Sequence, residues 1–303
     1  VVPFDADGDA DWETFAQHLT RIAKVGLTPA VSSIPGADAL LSTELQVGAV
    51  HHAQQIVGSD FFAGVHVVDN PGDRFVIEHY LSQLQTIQHV GATPIVFPSH
   101  GLNALSDNDW LTAMGEIGRS SDRFMVAEVD PARSPTGTER SFDAYAGLLR
   151  VRSCIGAVHA TLSRHDEWQR LYRQPTLRSD FLIYSSNERA IDMATYGCNY
   201  LLATAGMAPE LFVKRDRMWA EADPEVHDLQ DLLQYLAMFV ARDPIASLPH
   251  SALQFLRVRG WFEHDFVPAG IPERPGSDRA ILTEIAKRLG LPTSTSPTVR
   301  KTG

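Results

Sequence analysis

Cys154-Ile155-Gly156-Ala157-Val158-His159-Ala160-Thr161 is the stretch on which the fold turns. Its apolar, β-branched run over 155–160 predicts a short buried strand, and 166–173 behind it has the spacing of a helix. Working outward, the same strand-then-helix unit recurs. Strands are predicted at 27–33, 61–68, 93–98, 123–129, 181–185 and 200–204. Helices follow them at 42–57, 73–90, 107–118, 142–151, 188–196 and 209–221. Ahead of all these, 1–4 reads as the tail of a first strand, so the natural N-terminus is expected further upstream. The first helix, 11–25, sets Trp12, Phe15, Leu19, Ile22 and Ala23 on one face, with Asp9 or Asp11 as cap and Gly26 as stop. Eight βα units in about 220 residues predict the α/β class and a TIM (β/α)8 barrel. A doubly wound open sheet is the alternative, but no glycine-rich phosphate turn follows an early strand.

From 223 to 291 the strand pattern stops. Helices are predicted near 225–241, 248–261 and 277–289, punctuated by Pro244, Pro249, Pro268, Pro272 and Pro275. The expected organisation is a barrel over 1–222, a C-terminal helical extension over 223–291 and a loose polar tail over 292–303.

The 303 residues carry a net charge of −11, which excludes nucleic acid and anionic membranes as partners, since both demand clustered Lys and Arg. No run is apolar enough to span a bilayer, and no signal peptide is visible. Cys154 and Cys198 make neither a disulfide framework nor a zinc knuckle. They read as inert buried thiols in a reduced, cytoplasmic protein.

Six motifs occur in a telling order. Val2-Pro3-Phe4-Asp5-Ala6-Asp7-Gly8 opens the chain, and Gly36 precedes Leu41-Ser42. Val129-Asp130-Pro131-Ala132-Arg133 ends the fifth predicted strand. Ile155-Gly156 with Ala160-Thr161 frames the sixth, and Tyr184-Ser185-Ser186-Asn187-Glu188 ends the seventh. Gly197 and Ala208-Pro209 flank the eighth. This set resembles the dihydrodipicolinate synthase / N-acetylneuraminate lyase family over nearly the whole chain. The resemblance implies a lyase barrel acting on a small carboxylate or oxo acid, assembled as a homodimer or homotetramer. It implies no cofactor, and it places Arg133 where the family grips a substrate carboxylate.

The departures fall on the catalytic positions. The Schiff-base lysine of the sixth strand is Val158, and none of Lys24, Lys214, Lys287 and Lys301 lies on a predicted strand. The fifth-strand tyrosine is Glu128, the tyrosine pair after strand four is Ser99-His100, and the threonine loop reads Ser33-Ile34-Pro35-Gly36-Ala37. An iminium drains the charge of a carbanion formed beside a carbonyl. Without one, a metal or preorganised hydrogen-bond donors must do so.

Four polar residues fall near strand ends, where barrels build their sites: His66, His100, Glu128 and His159. Alternation turns His66 and Val158 inward and His159 outward, and groups Glu128 with Phe124 and Val126. Three readings stand. His66, His100 and Glu128 could hold a divalent metal. Glu128 and His100 could move protons on a substrate held by Arg133. Or the histidines are structural and Glu128 pairs with an arginine such as Arg133 or Arg152. Ser33, Ser99 and Val158 are expected to line the substrate space, and Ser186 and Asn187 to offer a helix N-terminus to an anion. The expected function is a lyase-like enzyme working without a Schiff base. The alternative is an inactive homologue serving as a binding or scaffold subunit.

Overall fold

The computed structural model describes residues 1–35, 37 and 40–294. Seven parallel strands form one sheet in chain order. They are β1 (Ala30–Val31), β2 (Phe62–Val65), β3 (Thr93–Val96), β4 (Phe124–Val129), β5 (Cys154–Ala160), β6 (Leu182–Ser185) and β7 (Asn199–Tyr200). The sheet curls tightly. Phe62 on β2 and Tyr184 on β6 stand four strands apart, roughly 19 Å on a flat sheet, yet their rings are 5.5 Å apart.

The expected first strand is a correction. Among the described residues, 1–4 contributes only an isolated antiparallel bridge, Phe4 to Ala10. Pro3 has no N–H to give a ladder, and Phe4 folds back onto its own chain. The expected strand 61–68 also stops early. The backbone N–H of His66 goes to the Gln83 side chain, which returns a bond to the His66 carbonyl.

Helices cover the outside: α1 (Trp12–Lys24), α2 (Thr43–Val57), α3 (Ile77–His89), α4 (His100–Asn103), α5 (Asp107–Arg119), α6 (Phe142–Leu148), α7 (Arg164–Leu177), α8 (Ala203–Met207) and α9 (Pro209–Ala220). Serine hydroxyls cap five of them: Ser42, Ser99, Ser106, Ser141 and Ser163 each accept from a backbone N–H of the first turn. Between β6 and β7 the predicted α-helix is instead a 3-10 stretch, Glu188–Tyr196, broken at Ala190.

Alternation sorts the strand residues into two layers. Inside lie Ile95, Phe97, Met125, Ala127, Val129, Val158 and Ala160, packed on one another. Outside, Ala63, Val65, Phe124, Val126 and Ala157 pack against Tyr80, Leu84, Trp110, Tyr145 and Leu148 of the helices. Helices α10 (Val226–Val240), α11 (Leu248–Val258) and α12 (Asp278–Arg288) share a second apolar cluster with Leu202, Met207 and Phe212. Among the described residues, no helix is long and apolar enough to cross a membrane. The tail from 295 onward, and Gly36 of the second motif, lie outside the described residues.

Candidate functional site

Val158 faces inward on β5, 1% exposed, inside the apolar plug. Lys24, Lys214 and Lys287 are exposed on α1, α9 and α12, and Lys301 lies outside the described residues.

Glu128 requires a correction. Expected at the barrel mouth, it lies on the outer face with Phe124 and Val126, because Met125, Ala127 and Val129 take the inner positions. Its partner is neither Arg133 nor Arg152 but Arg170 of α7, with Nε 2.6 Å from Oε2 and Nη2 2.9 Å from Oε1. His159, its register neighbour on β5, sets Nδ1 3.0 Å from the same Oε2, and its Nε2 is 3.3 Å from the Tyr145 hydroxyl. Burial pushes the Glu128 carboxyl up, but the His159 and Arg170 contacts outweigh it and hold the group below its ordinary value.

The other expected site residues are dispersed. His66 lies inside, stacked on Phe97 at 4.3 Å, with Nε2 2.8 Å from the Ser32 carbonyl. His100 opens α4, where its backbone N–H and that of Gly101 bind the Asp69 carboxylate. Ser99 is spent as the α4 cap, accepting from Leu102 N. Thus Glu128, His66 and His100 do not converge. Among the described residues, no group of three or more His, Cys, Asp or Glu is arranged to hold a metal ion. Burial pushes both cysteine thiols up to about 12.

A cavity of about 530 Å³ is lined by residues of β1, β2, β6 and β7 and of the helices beside them. Its apolar limb is lined by Phe15, Leu19 and Ile22 of α1 and by Leu248 and Leu256 of α11. Its polar limb is lined by Ser32, Ser33, Arg133, Tyr184, Ser186 and Glu188. Arg133 is 7% exposed, and its Nη1 donates to the Ser186 carbonyl at 2.6 Å. Burial lowers its pKa to about 10, while the charges of Glu188 and Asp130 hold it up. Glu188 is wholly buried. Its carboxylate accepts from Ala203 N at 2.5 Å and from the Thr204 hydroxyl at 2.6 Å, and burial raises its pKa. Burial likewise raises the Tyr184 phenol.

Ser186 and Asn187 do not offer the expected row of free N–H groups. Ser186 N donates to the His159 carbonyl, Asn187 N to Ser185 Oγ, and Arg189 N to Asn187 Oδ1. Ser32 sits at the cavity wall with φ 48°, a left-handed conformation uncommon for serine. Its carbonyl lies so near Gly64 that a Cβ there would be 1.7 Å away, so β2 needs glycine at that point. Glu188 and Tyr184 were missed as site residues, though both stand in the motif quoted for the seventh predicted strand.

No family model matches the chain, and no curated relative does. Solved structures do. Dihydrodipicolinate synthase from Thermotoga maritima superposes with a TM-score of 0.79 at 17% identity, covering 96% of both chains. The enzyme from Aquifex aeolicus gives 0.77 at 16% identity and 97% of both chains. A prophage protein of the dihydrodipicolinic acid synthase family from E. coli K12, solved in complex with pyruvate, gives 0.77 at 14% identity and 95% of both. Across nearly its whole length, then, this chain is similar in fold to the dihydrodipicolinate synthases.

Proposed function

We propose that this chain is a lyase-like enzyme that binds a small carboxylate of the oxo-acid kind in the polar limb of the cavity and works without a Schiff base. The observation that carries this is Arg133. Its guanidinium is buried at the cavity wall, and among the described residues it makes one hydrogen bond, to Ser186. A planar cation with unspent donors matches a carboxylate in charge and shape. Glu188, beside it and raised in pKa by burial, is the proton carrier on this reading. Tyr184 and Ser33 are the donors for charge that develops on a carbonyl oxygen.

A second reading has an observation of its own. Val158 sits in a closed apolar plug, which favours a binding protein without turnover. Calorimetric titration with pyruvate as probe tests both. Binding by the wild type and a loss of about tenfold or more in Arg133→Ala supports the anchor. Equal affinity in the two removes it. Borohydride added with pyruvate should leave the mass unchanged, and a covalent adduct on any lysine overturns the mechanism. Pyruvate binding with no turnover of any oxo acid selects the second reading.

A further inference from the structure

Between the outer face of β4 and β5 and helices α6 and α7, five polar side chains sit in a largely apolar layer. Glu128, Tyr145, His159, Glu167 and Arg170 are each at most 5% exposed, among Phe124, Val126, Ala157 and Leu148. A barrel wall gains little stability from such a row, since well-packed apolar side chains serve as well or better. What the row connects is therefore informative. None of its members lines the cavity.

One end of the row holds loop 130–141, which carries Arg133. Arg170 Nη2 donates to the Arg140 carbonyl at 3.1 Å, and Arg140 N donates to Glu128 at 3.2 Å. The Arg140 guanidinium then reaches the carbonyls of Leu105 and Leu102, at 2.9 and 2.8 Å. The other end holds turn 185–188, which carries Ser186 and Glu188. Glu167 of α7 is fully buried and faces the Ser185 hydroxyl and the Asn187 side chain. Among the described residues neither its oxygens nor Asn187 Nδ2 makes a hydrogen bond, so the contact is one of buried polar groups set side by side. His159 bridges the two ends, with its ring on Glu128 and its carbonyl taking Ser186 N at 2.8 Å. Among the described residues, the same two segments meet inside the cavity through one hydrogen bond, Arg133 to Ser186.

We infer that this buried row is a positioning device: α7, through Glu167 and Arg170, holds loop 130–141 and turn 185–188 in one fixed relation, and so sets Arg133 against Ser186 and Glu188. Its importance for ligand binding rests on the proposed reading of the polar limb. Its mechanics do not. Glu167 is the residue to test, because the side chains it faces, Ser185 and Asn187, belong to the turn and are not part of the cavity lining.

Hydrogen–deuterium exchange resolved by segment gives the readout, with pyruvate titration beside it. Glu167→Ala should speed exchange about tenfold in 130–141 and 185–190 while the remaining strands stay protected. Glu167→Gln, which keeps the shape and the hydrogen-bonding groups, should restore protection. Exchange that is unchanged in those segments, or that rises evenly over the sheet, overturns the inference. Should Glu167→Ala not fold, Ser185→Ala removes the same contact from the other side and carries the same two outcomes. Local loosening in a protein that never binds pyruvate leaves the positioning device standing and removes the proposed function. Normal pyruvate affinity in a variant with no local loosening does the reverse.

Discussion

The two faces of β4 and β5 have exchanged their usual contents. The inner face, where a barrel of this fold would place reactive groups, is hydrocarbon: Met125, Ala127, Val129, Val158 and Ala160. The outer face, where helices normally meet aliphatic side chains, holds Glu128 and His159 side by side in register, with Arg170 and Glu167 above them. The lesson is that polarity near a strand end does not locate a site. Chemistry needs a side chain that reaches open space, and here the space lies to one side of the plug, against Arg133 and Glu188.

The strongest way to break this contrast is to put charge into the plug. Val158→Lys would bury an ammonium among Phe97, Met125 and Ala160, which should cost about 5 kcal/mol and is best read by urea denaturation. A variant that keeps wild-type stability and is trapped by pyruvate and borohydride would show the inner face to be open. Next comes the outer face. Glu128→Gln leaves the buried Arg170 without its counter-charge and should cost about 3 kcal/mol. Glu128→Met combined with Arg170→Met should recover most of that loss. A double variant as unstable as the single one would mean that the pair itself, rather than its breaking, sets the stability.

Much of the architecture is legible in the sequence. The βα rhythm, the Asp11 cap and the inward turn of Val158 follow from period, carboxylate chemistry and pleat. The first strand was misread because the hydrophobic run of 1–4 hides the missing N–H of Pro3. Glu128 was misplaced for a deeper reason. Alternation groups it with Phe124 and Val126 but does not say which face that group takes, and a carboxylate invites the wet choice. Its true partner, Arg170, is 42 residues away on a helix that buries two of its charged residues, Glu167 and Arg170. No periodicity rule anticipates that, because α7 presents Glu167 and Arg170 where an amphipathic helix presents leucines. At the cavity, Arg133 and Ser186 lay in quotable motifs. Glu188 lay in one too, but only its burial beside Arg133 marks it out.

Titration separates the two carboxyls of the outer face. Glu128 has its folded pKa below the ordinary 4.5, so the stability it adds is present above that value and lost as pH falls through the lower one. Glu167 runs the other way. Burial raises its pKa, with Ser185, His159, Asn187 and Arg164 opposing, so its contribution is complete below 4.5 and lost as pH rises through the raised value. Urea midpoints should therefore show an acid-side fall that Glu128→Gln flattens and a decline toward neutrality that Glu167→Gln flattens. A neutral-side slope unchanged in Glu167→Gln would mean that this carboxyl ionises in the fold as easily as in water.

The smallest effect is the most discriminating. Tyr145→Phe removes only the hydroxyl at 3.3 Å from His159 Nε2 and keeps the ring that Arg170 covers at 5.2 Å. It should cost about 1 kcal/mol, the net worth of one buried hydrogen bond. If His159 is held mainly by Glu128, exchange in turn 185–188 stays slow in this variant. If the turn loosens as it does in Glu167→Ala, the bridge runs through Tyr145, and the polar row is anchored on α6 as well as α7.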